Sequence, residues 1–151
     1  MEELVQEMKV ALATSYTYQL KAHYYHWNVE GSNFPQYHQF FGMIYEDVDG
    51  SIDQFAEEVR ALGAYAPGSY GRFSELSLVI GDETIPDGIS MANRLLSDTY
   101  IVIEQLNSVF ETSEQNKKYG LSDFIAGRID MMNKWAWQLR ATTKTPGLTT
   151  T

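Results

Sequence analysis

The three histidines of the chain lie close together in the sequence. His23, His26 and His38 fall within sixteen residues, which random placement in 151 residues would rarely produce. Farther along, Asp53 and Glu57 are four residues apart, so on a helix they offer two carboxylates from one face to a common point. Imidazole and carboxylate, in a chain without cysteine, suit iron, manganese or zinc. The residue types therefore indicate a site for a divalent metal ion.

The elements that must position these side chains are helices. Prolines occur only at positions 35, 67, 86 and 146, and the stretches between them carry apolar residues at three- and four-residue steps. This pattern predicts four long helices, at about 2–29, 35–63, 89–112 and 122–142. Residues 64–87 are rich in Pro and Gly and predict a crossover connection with one short helix at 73–78. We expect an all-α, ferritin-like four-helix bundle with a long crossover between the second and third helices.

The chain is the size of one domain, which we place at residues 1–144, followed by a flexible C-terminal tail at 145–151. Within that domain, helix geometry separates the candidate ligands. Fifteen residues of helix lie between His38 and Asp53, a distance of about 22 Å at ~1.5 Å per residue. The two cannot bind one ion within one chain. A second subunit antiparallel across a two-fold axis would bring them together. On spacing alone, a metal site and an ordinary structural role for these residues remain equally open.

A resemblance to a known family changes that balance. The segment from His26 to His38, HWNVEGSNFPQYH, closely resembles the signature of the Dps family, the miniferritin branch of the ferritin-like proteins. The similarity continues through residues 53–63, DQFAEEVRALG, through APG at 66–68, and in the last helix through AWQLR at 136–140. It covers nearly the whole chain except the tail.

The resemblance implies a function as well as a fold. Members of the family assemble into hollow cages of twelve subunits, oxidise Fe(II), preferably with hydrogen peroxide, and store ferric iron, which protects against oxidative damage. Their sites are shared across a dimer two-fold axis, so His26 and His38 would come from one subunit and Asp53 and Glu57 from its partner. His23 has a counterpart in some members, although a helix-surface role is equally open. Asp123 matches a pore-lining position, although an ordinary first-turn acid is nearly as good an interpretation.

One position departs from the family pattern. Four residues after the second histidine the family has an acid that reaches toward the iron, whereas this chain has Gly42. Glu46, Asp47 and Asp49 follow about one turn later and could supply negative charge. A weaker or single-metal site is therefore one hypothesis, with zinc or another divalent ion in place of iron as a variant of it. The alternative function is a cage with an altered or inefficient ferroxidase site that binds metal passively or acts structurally.

The charge and hydropathy of the chain exclude other classes of partner. The formal net charge of −9 works against binding to phosphate backbones, and no lysine-rich extension is present, so we expect no strong DNA binding. No apolar run approaches the ~20 residues that span a bilayer. The first residues lack the basic and apolar parts of a signal peptide. We expect a cytoplasmic protein without a membrane partner.

Overall fold

The computed structural model describes residues 1–147, and the end of the expected tail, residues 148–151, lies outside the described residues. The described chain forms five helices and no strand, which confirms the all-α ferritin-like bundle. None of these helices is long and apolar enough to cross a membrane. The helices are α1 (Glu2–Asn28), α2 (Phe34–Ala61), α3 (Tyr70–Leu76), α4 (Gly88–Gln115) and α5 (Tyr119–Thr143).

The α1–α2 turn brings the histidine-bearing ends of both helices together. Gly31 adopts a φ of 117°, a left-handed conformation that glycine accepts without steric cost. The backbone N–H of Phe34 donates to the Gly31 carbonyl at 3.1 Å, and Pro35 occupies the first turn of α2. Asn33 holds the N-cap position, but its side chain makes no capping hydrogen bond. Backbone hydrogen bonding, rather than a side-chain cap, closes this turn.

The core runs the length of the bundle and includes two buried tyrosines on α1. Tyr18 and Tyr25 are fully buried. The Tyr18 hydroxyl shares a hydrogen bond of 2.8 Å with the Thr99 hydroxyl on α4, and Tyr25 Oη donates to Asp82 Oδ2 at 2.5 Å. Each buried hydroxyl therefore has a partner, as burial of a polar group requires. The apolar residues around them come from all five helices, among them Leu12, Phe41, Phe55, Phe73, Leu95 and Ile125.

The short crossover helix begins three residues earlier than its predicted start. Ser69 Oγ accepts the backbone N–H of Arg72 at 3.2 Å and so caps the first turn. Phe73 and Leu76 are the buried residues of this helix. The sequence pattern detected these two apolar residues but not the cap in front of them.

Hydrogen bonds of Asp82 link the end of the crossover to α1 and α4. Besides the Tyr25 hydroxyl, its carboxylate accepts the backbone N–H and hydroxyl of Thr84, at 2.9 and 2.7 Å, and Arg94 Nη1 at 2.7 Å. Burial alone would raise the pKa of Asp82, but the hydrogen bonds from Tyr25, Thr84 and Arg94 outweigh it and hold that pKa well below its usual range. The folded protein therefore stabilises the ionised carboxylate.

The substitution Asp82→Asn tests this anchor through its pH dependence. We expect it to cost about 1–2 kcal/mol per chain near neutral pH, because it removes hydrogen bonds to a charged acceptor, one of them from a half-exposed arginine. Because the folded pKa is depressed, this contribution is present above the ordinary carboxyl pKa of about 3.9 and is lost as the pH falls below it. Thermal unfolding followed by circular dichroism should show a lower melting temperature for Asp82→Asn than for the parent, and this difference should become smaller in acid.

The matched control for this experiment is Glu83→Gln. Glu83 is exposed, and its substitution should leave the melting temperature unchanged. A gap between parent and Asp82→Asn that stayed constant down to about pH 3 would contradict the electrostatic explanation.

Candidate metal centre

His26 and His38 form a reciprocal pair across the α1–α2 turn. His26 Nδ1 lies 2.5 Å from the His38 carbonyl oxygen, and His38 Nδ1 lies 2.6 Å from the His26 carbonyl oxygen. The two rings are stacked, with centroids 3.8 Å apart and planes 14° from parallel. Each imidazole is thus fixed by the backbone of the other residue.

These hydrogen bonds determine the tautomer of both rings. A carbonyl oxygen can only accept, so each Nδ1 must carry the proton and donate it. In the neutral imidazole the other nitrogen, Nε2, then keeps its lone pair. This is the arrangement in which a histidine binds a metal ion, with one ring nitrogen held by a backbone carbonyl and the other free for coordination. The pair therefore fits a metal-binding role.

His23, one turn before His26, lies in an aromatic stack. Its ring is parallel to that of Tyr45, with centroids 3.6 Å apart, and its centroid lies 3.8 Å from that of Trp27. The His26 centroid is 6.0 Å away. Burial, and then the proximity of His26, lower the pKa of His23. The ring packs beside the pair, and its role as a ligand stays a prediction.

Asp53 and Glu57 form a second pair farther along α2. Both side chains are exposed. The two residues lie one turn apart on the same face of the helix, and a hydrogen bond with Asp53, together with its negative charge, raises the pKa of Glu57. Like charges held this close favour a shared proton or a shared cation. The spacing of four residues places them as expected.

The histidine pair and the carboxylate pair do not meet within one chain. The helix that carries His38, Asp53 and Glu57 is continuous from Phe34 to Ala61, so the separation of about 22 Å holds. Among residues 1–147 no three histidine, aspartate or glutamate side chains converge on a common point. One chain thus keeps the histidine pair and the carboxylate pair apart.

Gly42 lies directly against the histidine pair. It is buried, and a Cβ atom built on it would lie 2.8 Å from His26 Nδ1 and 2.9 Å from His26 Cε1. Real Cβ atoms essentially never approach that closely. Of the two explanations for a mid-helix glycine, simple tolerance or a local role, the structure supports the local role.

Of the three acids that follow Gly42, Asp47 forms hydrogen bonds with side chains of α5. It accepts a bidentate pair of hydrogen bonds from Arg128, at 3.0 and 2.9 Å, and one from Trp135 Nε1 at 2.8 Å. These bonds tie α2 to α5. Glu46 and Asp49 are exposed. Asp47 is thus a structural residue, which sequence reasoning missed because its partners lie more than eighty residues away.

Asp123 lies in the first turns of α5 and is exposed. It borders a shallow, open depression between α2 and α5 that Gln54 and Arg128 also line. This position is compatible both with a pore-lining residue and with an ordinary first-turn acid. Its pore role stays a prediction.

Comparison with known proteins agrees with the fold. A family model described as a ferritin-like domain matches residues 3–146. A low temperature-induced protein of Nostoc sp. is 34% identical over 134 residues, covering 86% of this chain and 74% of that protein. DNA protection during starvation protein 2 of Bacillus anthracis is 26% identical over 121 residues, covering 80% and 83% of the two chains.

Comparison with solved structures identifies the same fold. The Dps protein of Vibrio cholerae O1, described as a member of a broad superfamily of ferritin-like diiron-carboxylate proteins, superposes with a TM-score of 0.91 at 25% identity, covering 95% of this chain and 90% of that one. The chain belongs to the Dps family. This Dps chain has the ferritin-like fold. Its histidine pair lies at the end of α1 and the start of α2.

The role of Asp47 can be tested by removing its side chain. Asp47→Ala should destabilise the Dps chain by about 2–4 kcal/mol, because it leaves the largely buried guanidinium of Arg128 and the indole N–H of Trp135 without their acceptor. Denaturant unfolding followed by circular dichroism measures this loss. Asp49→Ala, two residues along the same helix and exposed, should change stability by less than about 0.5 kcal/mol. Equal effects of the two substitutions would show that the Asp47 contacts contribute little.

Proposed function

We propose that this Dps protein binds and oxidises Fe(II) at sites shared between two subunits, with hydrogen peroxide as the oxidant, and stores the ferric product inside a dodecameric cage. Each site would take His26 and His38 from one subunit and Asp53 and Glu57 from its partner. Two nitrogen and two oxygen donors suit a divalent first-row metal ion. We further propose that the protein acts in the cytoplasm.

The observation that carries this proposal is the fixed state of the histidine pair. With both Nδ1–H groups donated to backbone carbonyls, the two Nε2 atoms can accept a metal ion without any change of tautomer. The carboxylates that would complete the ligand set are kept at a distance by the intact helix α2. Only a second subunit can bring both halves together.

An exposed apolar surface beside the pair supports docking of that second subunit. Trp27 is 56% exposed and Ile80 is 81% exposed. Leu20 lies between them and lines two adjoining grooves, one bordered by Trp27 and the other by Tyr70 and Ile80. A contiguous surface of this kind is costly to leave in water and is typical of a subunit interface. We assign it to another copy of the same chain.

Peroxide chemistry sets the number of Fe(II) ions consumed. Reduction of one hydrogen peroxide breaks its O–O bond and takes up two electrons and two protons to give two waters. Each Fe(II) supplies one electron and becomes Fe(III), so two Fe(II) ions are oxidised per peroxide. A site that holds both ions at once can deliver both electrons together, whereas a site that holds one ion must receive the second electron from another Fe(II).

Gly42 favours a second candidate function. Without the family acid, the shared site has only the two carboxylates of the partner as anionic ligands, and a second ion is harder to hold. A cage that binds metal at this site but turns it over slowly is the alternative. The two functions differ in the rate of oxidation after binding, rather than in the residues that bind.

Removal of one ligand from each pair tests the proposal. His38→Ala and Asp53→Ala should each lower the initial rate of Fe(II) oxidation by peroxide at least about tenfold, because each removes one ligand from every shared site. Stopped-flow absorbance of the ferric product measures the rate.

The control variant is Glu104→Gln, which alters an exposed acid on α4 and should oxidise iron as the parent does. Light scattering should show the same large assembly for all four proteins. Parent-like rates in His38→Ala and Asp53→Ala would show that iron is oxidised elsewhere. A parent that binds Fe(II) with a slow peroxide reaction would favour the passive cage, and a monomeric parent would contradict both functions.

A further inference from the structure

The His26 ring occupies the space that a side chain at position 42 would take. Gly42 and Gly50 are both glycines within α2. A Cβ atom at Gly50 would meet nothing within 4 Å, whereas a Cβ atom at Gly42 would overlap the His26 imidazole. Both positions have ordinary helical backbone, so neither needs glycine for its conformation. Of these two glycines, Gly42 alone has a neighbouring side chain in the place that its own would take.

We propose that Gly42 is the positioning residue of the shared metal site: its missing side chain makes the room in which His26 stacks on His38, and the resulting pair limits each site to one divalent ion. The part concerning the ion rests on the proposed function. The part concerning the ring is a property of the metal-free chain. The two parts can therefore be tested separately.

The first step of the argument is steric. The His26 atoms nearest to a Cβ at position 42 would be Nδ1 and Cε1, and Nδ1 is the atom that donates to the His38 carbonyl. A side chain at position 42 therefore requires a shift, and the His26 ring is the group in its way. The paired geometry as it stands leaves no room for a Cβ atom at position 42.

The second step concerns charge. A carboxylate at position 42 would contribute an anionic ligand from the same subunit as the histidines, but only after His26 had moved. With glycine, the histidine half of the site is neutral, and Asp53 and Glu57 of the other half together balance one divalent cation. A second cation would enter without a counter-charge from the ligand set, which disfavours its binding. The pair thus favours one ion per site.

Gly42→Ala tests the steric step without adding a ligand, and Gly50→Ala is the matched control on the same helix. The metal-free proteins would be labelled with ¹⁵N-histidine and sedimented for solid-state NMR, where the chain contributes only three imidazole rings. The Gly50→Ala spectrum should match that of the parent, with two rings in the Nδ1–H tautomer and hydrogen-bonded. In Gly42→Ala the His26 signals should shift as its bond to the His38 carbonyl is lost.

Metal binding supplies the second readout. Co²⁺, which is stable to air under these conditions and reports its ligands by visible absorption, should bind the assembled parent and Gly50→Ala with a stoichiometry of one per chain. Gly42→Ala should bind it at least about tenfold more weakly, because one ring no longer presents its Nε2 in a fixed position. Unchanged histidine spectra and unchanged Co²⁺ affinity in Gly42→Ala would overturn the positioning role, and two Co²⁺ per chain in the parent would overturn the limit to one ion.

A His26→Ala background keeps the inference testable if Gly42→Ala assembles poorly. Without the imidazole, alanine at position 42 has room, so Gly42→Ala should raise the melting temperature in this background, as alanine in place of a mid-helix glycine is expected to do. If Gly42→Ala instead lowered the melting temperature in the His26→Ala background, the clash would involve another residue, which would contradict the inference. If the parent binds no Co²⁺, the proposed function fails, while the spectra of the metal-free proteins still decide whether Gly42 positions His26.

Discussion

The rigidity of helix α2 is the constraint on which the rest of the structure depends. Its 28 residues run without interruption from Phe34 to Ala61 and hold the histidine end about 22 Å from the carboxylate pair. A kink or a break would allow a chain to fold its own ligands together. Because the helix is continuous, one chain cannot bring its histidine pair and its carboxylate pair together, and the site that we propose needs a second copy.

Contacts within the chain organise the residues that we propose as ligands. The backbone carbonyls of His26 and His38 select the tautomer of both rings, and the four-residue spacing on α2 brings Asp53 and Glu57 together. Such preparation lowers the entropic cost of binding, because the ligands are not ordered by the metal. A cation bound between Asp53 and Glu57 would offset the repulsion between their negative charges.

Much of the fold and part of the candidate site could be predicted from the sequence. The four long helices follow from apolar periodicity and from the positions of four prolines, and the separation of His38 from Asp53 follows from helix rise alone. The crossover helix was predicted three residues too late, because its start depends on a serine cap rather than on apolar spacing. Gly42 and Asp47 depend on tertiary neighbours. The ring that fills the space at Gly42 comes from α1, and the partners of Asp47 come from α5, so neither role leaves a local pattern.

The claim that each site is shared between subunits can be measured directly by complementation. His38→Ala and Asp53→Ala subunits, each lacking one half of the ligand set, would be dissociated, mixed in equal amounts and reassembled, and specific Co²⁺ binding would be compared with that of the parent. With random mixing, about a quarter of the sites across two-fold axes should combine an intact histidine half with an intact carboxylate half, so binding should recover to about a quarter of the parent level. Mixed assemblies that bind no more Co²⁺ than either variant alone would contradict the shared site.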